Sequence, residues 1–141
     1  MKSSMKTVPL LLGIAAMMAC SDLTSSGSTE ASYTAIIFFT TDNTGPTNQL
    51  LLGSSLQITL ASNGTTSGHL HLAAAGGQPV FDADMAGTWS QNGDAVDFTQ
   101  TADTFVRDMT FTAQKISTSV WALVGDETFS GTRINLTLAR N

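Results

Sequence analysis

Leu56-Gln57-Ile58-Thr59-Leu60-Ala61-Ser62-Asn63-Gly64-Thr65-Thr66-Ser67-Gly68-His69-Leu70-His71-Leu72 decides the class of this chain. Leu56, Ile58 and Leu60 alternate with Gln57 and Thr59, the period of a strand with one dry and one wet face. Asn63-Gly64 then gives the strongest short-range hairpin signal, because a type I′ turn needs positive φ at both central residues. After the turn the alternation resumes, with Leu70 and Leu72 set against His69 and His71. One β-hairpin is therefore written into these residues.

The pattern extends in both directions. Strands are expected over 33–40, over 50–61 with a bulge at Gly53, and over 66–73. Gly76-Gly77 opens a turn into a strand over 80–90, and Asn92-Gly93 makes a second tight hairpin into 95–101. Further strands are read over 105–113, 118–124 and 128–139, the last two joined by a turn at Gly125-Asp126. No stretch after Tyr33 keeps a helical period for three turns. Eight short strands with regularly spaced turns indicate an all-β domain, either an antiparallel meander barrel or a β-sandwich. The barrel is the more economical expectation, since pairing the first strand with the long, alternating last one removes both exposed edges.

The stretch Gly87-Thr88-Trp89-Ser90-Gln91-Asn92-Gly93-Asp94, followed by Val96 and Phe98, resembles the G-x-W, turn, alternating-strand unit of small lipocalin-like bacterial lipoproteins. The resemblance extends weakly over 50–139 and implies a single eight-stranded meander barrel.

The N-terminal residues read as an address. Lys2 and Lys6 precede an apolar run over 8–19, too short for a bilayer-spanning helix of ~20 residues but suited to a signal-peptide core. Ala19-Cys20 resembles the lipobox of bacterial lipoproteins, in which the cysteine becomes the first mature residue and carries lipid. That resemblance implies a signal peptide over 1–19, acyl chains such as palmitate on Cys20, and attachment to a membrane. Ser21, in place of the aspartate of inner-membrane retention, implies the outer membrane, facing the periplasm or the cell surface. Ordinary signal cleavage leaving a free thiol is the alternative. The small polar residues over 20–31 read as a flexible linker of roughly 15–20 Å reach, leaving 32–141 for the barrel.

Charge narrows the partners. All 11 acids follow Cys20, while Lys2 and Lys6 precede it, so the mature part has four bases against eleven acids and a net charge of −7. Nucleic acid is excluded as a partner, because its binding depends on Lys and Arg neutralising phosphates. The single cysteine leaves no disulfide within the chain. A monomer held by packing alone is expected, with an envelope protein or a small apolar molecule as its partner and no cofactor.

Two residue sets are candidates for chemistry. His69 and His71 leave one face of a strand, and Asp82 and Asp84 leave one face of the next. If those strands pair, four N and O donors approach one another, the ingredients of a Zn²⁺ or Cu²⁺ site; a solvated outer face is the plainer reading. Phe81, Met85, Trp89, Phe98, Phe111 and Trp121 are assigned to the barrel interior. There they either line a cavity for a small apolar ligand or fill it, both being open to eight strands. No G-x-S-x-G elbow or buried carboxylate pair is present, so no enzyme is expected. The sequence thus supports a non-catalytic binding module of the cell envelope. The alternatives are a structural or protein-interaction lipoprotein with a filled barrel, and a metal-binding protein using His69 and His71.

Overall fold

The alternation of apolar and polar residues closes on itself. In the computed structural model, which describes residues 29–141, eight antiparallel strands form a closed barrel and two short strands are added at one rim. The expected signal peptide, Cys20 and most of the linker lie outside the described residues. The strands are β1 (Ala31–Asp42), β2 (Gly45–Asn48), β3 (Ser55–Leu60), β4 (Thr65–Leu72), β5 (Phe81–Asp84), β6 (Gly87–Asn92), β7 (Ala95–Gln100), β8 (Thr110–Lys115), β9 (Trp121–Phe129) and β10 (Thr132–Arg140). Closure comes from β1 against β10, in register from Tyr33↔Arg140 to Thr41↔Arg133. The small strands β2 and β5 pair only with the far ends of β1 and β4. Their rim, called distal here, lies opposite the one where β1 begins and β10 ends.

The interior is dry and filled. Phe38, Leu56, Ile58, Leu60, Leu70, Val96, Phe111, Leu123, Leu136 and Leu138 are buried, and Phe98 meets Phe111 with ring centroids 4.8 Å apart. Gly125 shows how little space is left. A Cβ there would lie 2.5 Å from Met109 Cε and 2.9 Å from Phe111 Cε1, well inside the 3.5–4.0 Å of ordinary carbon contact. Thr66 and Gln100, the polar pair among these side chains, satisfy each other through hydrogen bonds of 3.0–3.1 Å. No buried side-chain polar atom among the described residues lacks a partner.

Several local expectations are corrected. Gly125-Asp126 is not a turn: both lie inside β9, and Gly125 is small because Met109 and Phe111 occupy its space. The β9–β10 turn is Ser130-Gly131, where both residues take positive φ (50° and 82°), the requirement of a type I′ hairpin. At Asn63-Gly64 only the glycine does so; the Gly64 N–H bonds the Ala61 carbonyl, and the Asn63 side chain accepts from the Thr65 N–H and hydroxyl. Gly53 makes no bulge. It caps a 3-10 turn over Leu50–Leu52, where three successive leucines cannot alternate. The bulge falls in β1, at the register shift between Ala35 and Ile37.

The expected strand over 105–113 begins only at Thr110. Before it, the Arg107 N–H bonds the Thr104 carbonyl and the Val106 N–H bonds the Thr104 hydroxyl, so turns interrupt the strand, although the Phe98 and Gln100 N–H groups of β7 still reach the Met109 and Arg107 carbonyls at 3.3 and 2.8 Å. This segment stoppers the distal rim, with Val106 and Met109 buried and Phe105 against Phe38 at 5.6 Å. Residues 118–120 are likewise outside β9, and the expected strand over 80–90 is broken between β5 and β6.

Candidate functional site

The histidine–aspartate set and Phe81 sit on opposite faces of one hairpin. β4 and β5 pair in the register His69↔Asp84, Leu70↔Ala83, His71↔Asp82 and Leu72↔Phe81. Directly opposite residues share a face in an antiparallel pair. The histidines and aspartates therefore stand together on the outer wall, while Leu70, Leu72, Phe81 and Ala83 face inward.

On the outer wall, Asp82 Oδ1 lies 3.0 Å from His69 Nε2 and 2.8 Å from His71 Nδ1. His69 Nδ1 lies 3.5 Å from Asp84 Oδ1. An ionised carboxylate only accepts, so the ring nitrogens facing Asp82 are the ones that carry protons. These hydrogen bonds, His71 first and then His69, hold the Asp82 carboxyl below the usual carboxylate range. The site is wet, with half of the Asp82 side chain exposed. Its donors are hydrogen-bonded to one another, and among the described residues no group of three or more His, Cys, Asp or Glu is arranged to hold a metal ion. In this structure the cluster is a cross-strand tie that fastens β5 to β4.

The six interior candidates do not converge. Met85, Phe98 and Phe111 are buried in the packed core. Trp89 and Trp121 are half-buried near the N-terminal rim. Trp89 donates its indole N–H to the Ala61 carbonyl at 2.9 Å, pinning the first hairpin, and Lys115 Nζ lies 5.3 Å from the Trp121 ring. Gly87 of the G-x-W stretch lies so close to the Thr99 carbonyl that no side chain fits, so this motif serves the packing of β6 on β7. Phe81 keeps its inward face but lies beyond the closed barrel, where 41% of it is exposed.

That overhang makes a groove. The inner face of the β4–β5 hairpin and the adjoining loop enclose about 420 Å³, lined by Gln49, Leu72, Ala73, Pro79, Val80 and Phe81. Its base is fixed by side chains: Gln49 Nε2 donates to Thr40 Oγ1 at 2.8 Å, Ser54 Oγ to Gln49 Oε1 at 3.1 Å, and the Ala73 N–H to Ser54 Oγ at 3.0 Å. On the same rim Leu51 is 84% exposed, with Leu52 and Val80 also uncovered. No residue pattern announces this groove, since its walls need the expected strand over 80–90 to break and the leucines over 50–52 to leave the sheet. A smaller, polar depression of about 210 Å³ lies beside Arg107, which faces Asp103 and Asp108 at 3.5 and 3.6 Å.

Among known proteins, no family model, no curated sequence and no solved structure matches this chain.

Proposed function

We propose that the protein is a non-catalytic binding module of the cell envelope, and that it takes a small apolar ligand in the distal groove rather than inside the barrel. The groove carries the reading. Its volume of about 420 Å³ falls in the range of ligand pockets, and Leu72, Val80 and Phe81 give it an apolar wall above a hydrogen-bonded base. The interior offers no comparable room, because the inward aromatics fill it. Native mass spectrometry of the protein purified from its own host is expected to show an adduct mass. Phe81→Asp should lose that adduct, while Phe129→Asp, at the edge of the other depression, should keep it. A clean apo mass, or an adduct indifferent to Phe81→Asp, would sink the reading.

The same proposal places the domain on a membrane through lipid-modified Cys20, in the outer membrane where the host has one. Three acyl chains, the number that lipobox resemblance implies, anchor stably at ~0.8 kcal/mol per buried CH₂. Cells fed a palmitate analogue should label the protein, and Cys20→Ser should abolish the label and release the protein to the soluble fraction. Label retained in Cys20→Ser would remove the anchor from the account.

A further inference from the structure

The broken strand over 80–90 leaves a backbone edge of defined chemistry. The Met85 N–H donates to the Gly68 carbonyl at 3.0 Å, which fixes the phase of the β4–β5 ladder. In an antiparallel pair, residues that exchange bonds alternate with residues that do not. Phe81, Ala83 and Met85 therefore turn their N–H and C=O groups toward β4. Asp82 and Asp84 turn theirs the other way, along with Ala86. At Ala86 that outward row is still used, because its carbonyl accepts from the Thr101 N–H and hydroxyl, both at 2.9 Å. There β7 has ended, and the chain bends into the loop over 101–109. Among the described residues no second strand runs beside β5.

We infer that this edge is a strand-addition site for an extended segment of a partner protein in which basic residues alternate with apolar ones. Three observations select that occupant. The outward N–H and C=O groups of Asp82 and Asp84 offer main-chain bonds to an extended chain, the first component of recognition by β-augmentation. The inner face presents Phe81 and Ala83 to alternate side chains, with Val80 exposed beside them. The outer face presents Asp84, whose side chain is 90% exposed, and Asp82, so a Lys or Arg opposite them is favoured. A second copy of this chain is disfavoured by the same rule, since edge-to-edge pairing sets aspartates against aspartates. The groove and the edge share the side chains of Val80 and Phe81, but the outward main-chain groups of Asp82 and Asp84 belong to the edge alone, so their amide exchange reports strand addition and not filling of the groove.

The test uses the full chain and a short blocked peptide in which lysine alternates with valine. Binding followed by fluorescence anisotropy should saturate, and should weaken at least tenfold when glutamate replaces lysine. Amide exchange should slow at Asp82 and Asp84 on binding, with Ala83, already aimed at β4, little changed. Asp84→Pro removes an outward N–H without removing a β4 bond, and proline is tolerated on edge strands. It should lower affinity at least tenfold while the denaturation midpoint stays near that of the parent. Asp84→Asn, which keeps the N–H, should weaken binding less. No binding of the lysine peptide, binding with unchanged exchange at Asp82 and Asp84, or equal binding by Asp84→Pro would overturn the inference. So would dimerisation of the chain through this edge.

Discussion

Gly125→Ala separates a filled barrel from a hollow one by the sign of its effect. Gly125 lies in the middle of β9, and its φ is not in the left-handed region, so the backbone accepts alanine without strain. In the unfolded chain alanine has less freedom to lose, and with space available the change would stabilise the protein by about 0.4–1 kcal/mol. Space is what the structure denies. The new methyl would sit 2.5 Å from Met109 Cε and 2.9 and 3.0 Å from two carbons of the Phe111 ring. Reaching ordinary contact requires those groups to retreat by roughly 0.5–1 Å. Met109 and Phe111 are both buried, and Phe111 is backed by Phe98. Overpacking of this kind costs about 1–3 kcal/mol. The net expectation is a loss of about 1–2 kcal/mol, or a fall of roughly 0.5–1 M in the urea midpoint at constant slope. In a Phe111→Leu background the cost of Gly125→Ala should shrink by about 1 kcal/mol, the coupling expected of residues in contact. A raised midpoint for Gly125→Ala in the parent would refute the filled interior and return the barrel cavity to consideration as a ligand site.

Two further predictions concern ionisable groups. The Tyr33 hydroxyl donates to the Thr29 carbonyl at 2.7 Å, and burial raises its pKa above the ordinary 10.0. Its contribution is complete below that value and is lost as pH rises through the raised one. Tyr33→Phe should therefore cost about 0.5–1.5 kcal/mol at neutral pH and flatten the alkaline fall of the stability curve; an unchanged alkaline limb would contradict the assignment. Asp82 has the opposite sign. Its lowered pKa stabilises the fold above the ordinary carboxylate value, and that stabilisation disappears as pH falls through the folded value. Asp82→Asn should remove this acid dependence and speed amide exchange in β5 at neutral pH, and equal exchange in both proteins would show that the histidine tie does not hold the strand.

The fold was legible wherever burial strictly alternates. Leu56, Ile58 and Leu60, then Val96 and Phe98, then Ile134, Leu136 and Leu138 are all inward, and β10 does close on β1. Reading failed where one residue type serves two physical ends. Gly125 suggested a turn but is a packing glycine, whereas the turn itself uses Ser130 at a positive φ that serine seldom takes. Phe105, Met109 and Phe111 sit at odd positions, as in a strand. Val106 is nonetheless buried too, because Thr104 bends the chain into turns that no alternation can announce. The histidine–aspartate cluster could be seen in advance because a hairpin across Gly76-Gly77 sets residues 69 and 71 against 84 and 82. What those groups would do could not be seen, since whether Asp82 binds the rings or shares an ion with them depends on distances of tenths of an ångström.

A filled barrel that binds a partner can do so only at its surface, and the two rims of this one are unlike. At the N-terminal rim the Tyr33 hydroxyl donates to the Thr29 carbonyl and the Trp89 indole N–H to that of Ala61. The distal rim carries both added strands, the apolar groove, the outward edge of β5 and most of the acids, including Asp42, Asp82, Asp84, Asp103 and Asp108. If Cys20 carries the lipid proposed above, the anchor precedes the N-terminal rim, and the groove and the β5 edge lie at the other. Moving the anchor to the distal rim, by joining the lipobox ahead of a circular permutant that begins in the Ser130-Gly131 turn, should leave the fold intact and shield the β5 edge. Full access of the lysine–valine peptide in that permutant on vesicles would show that the two rims are not set apart by the tether.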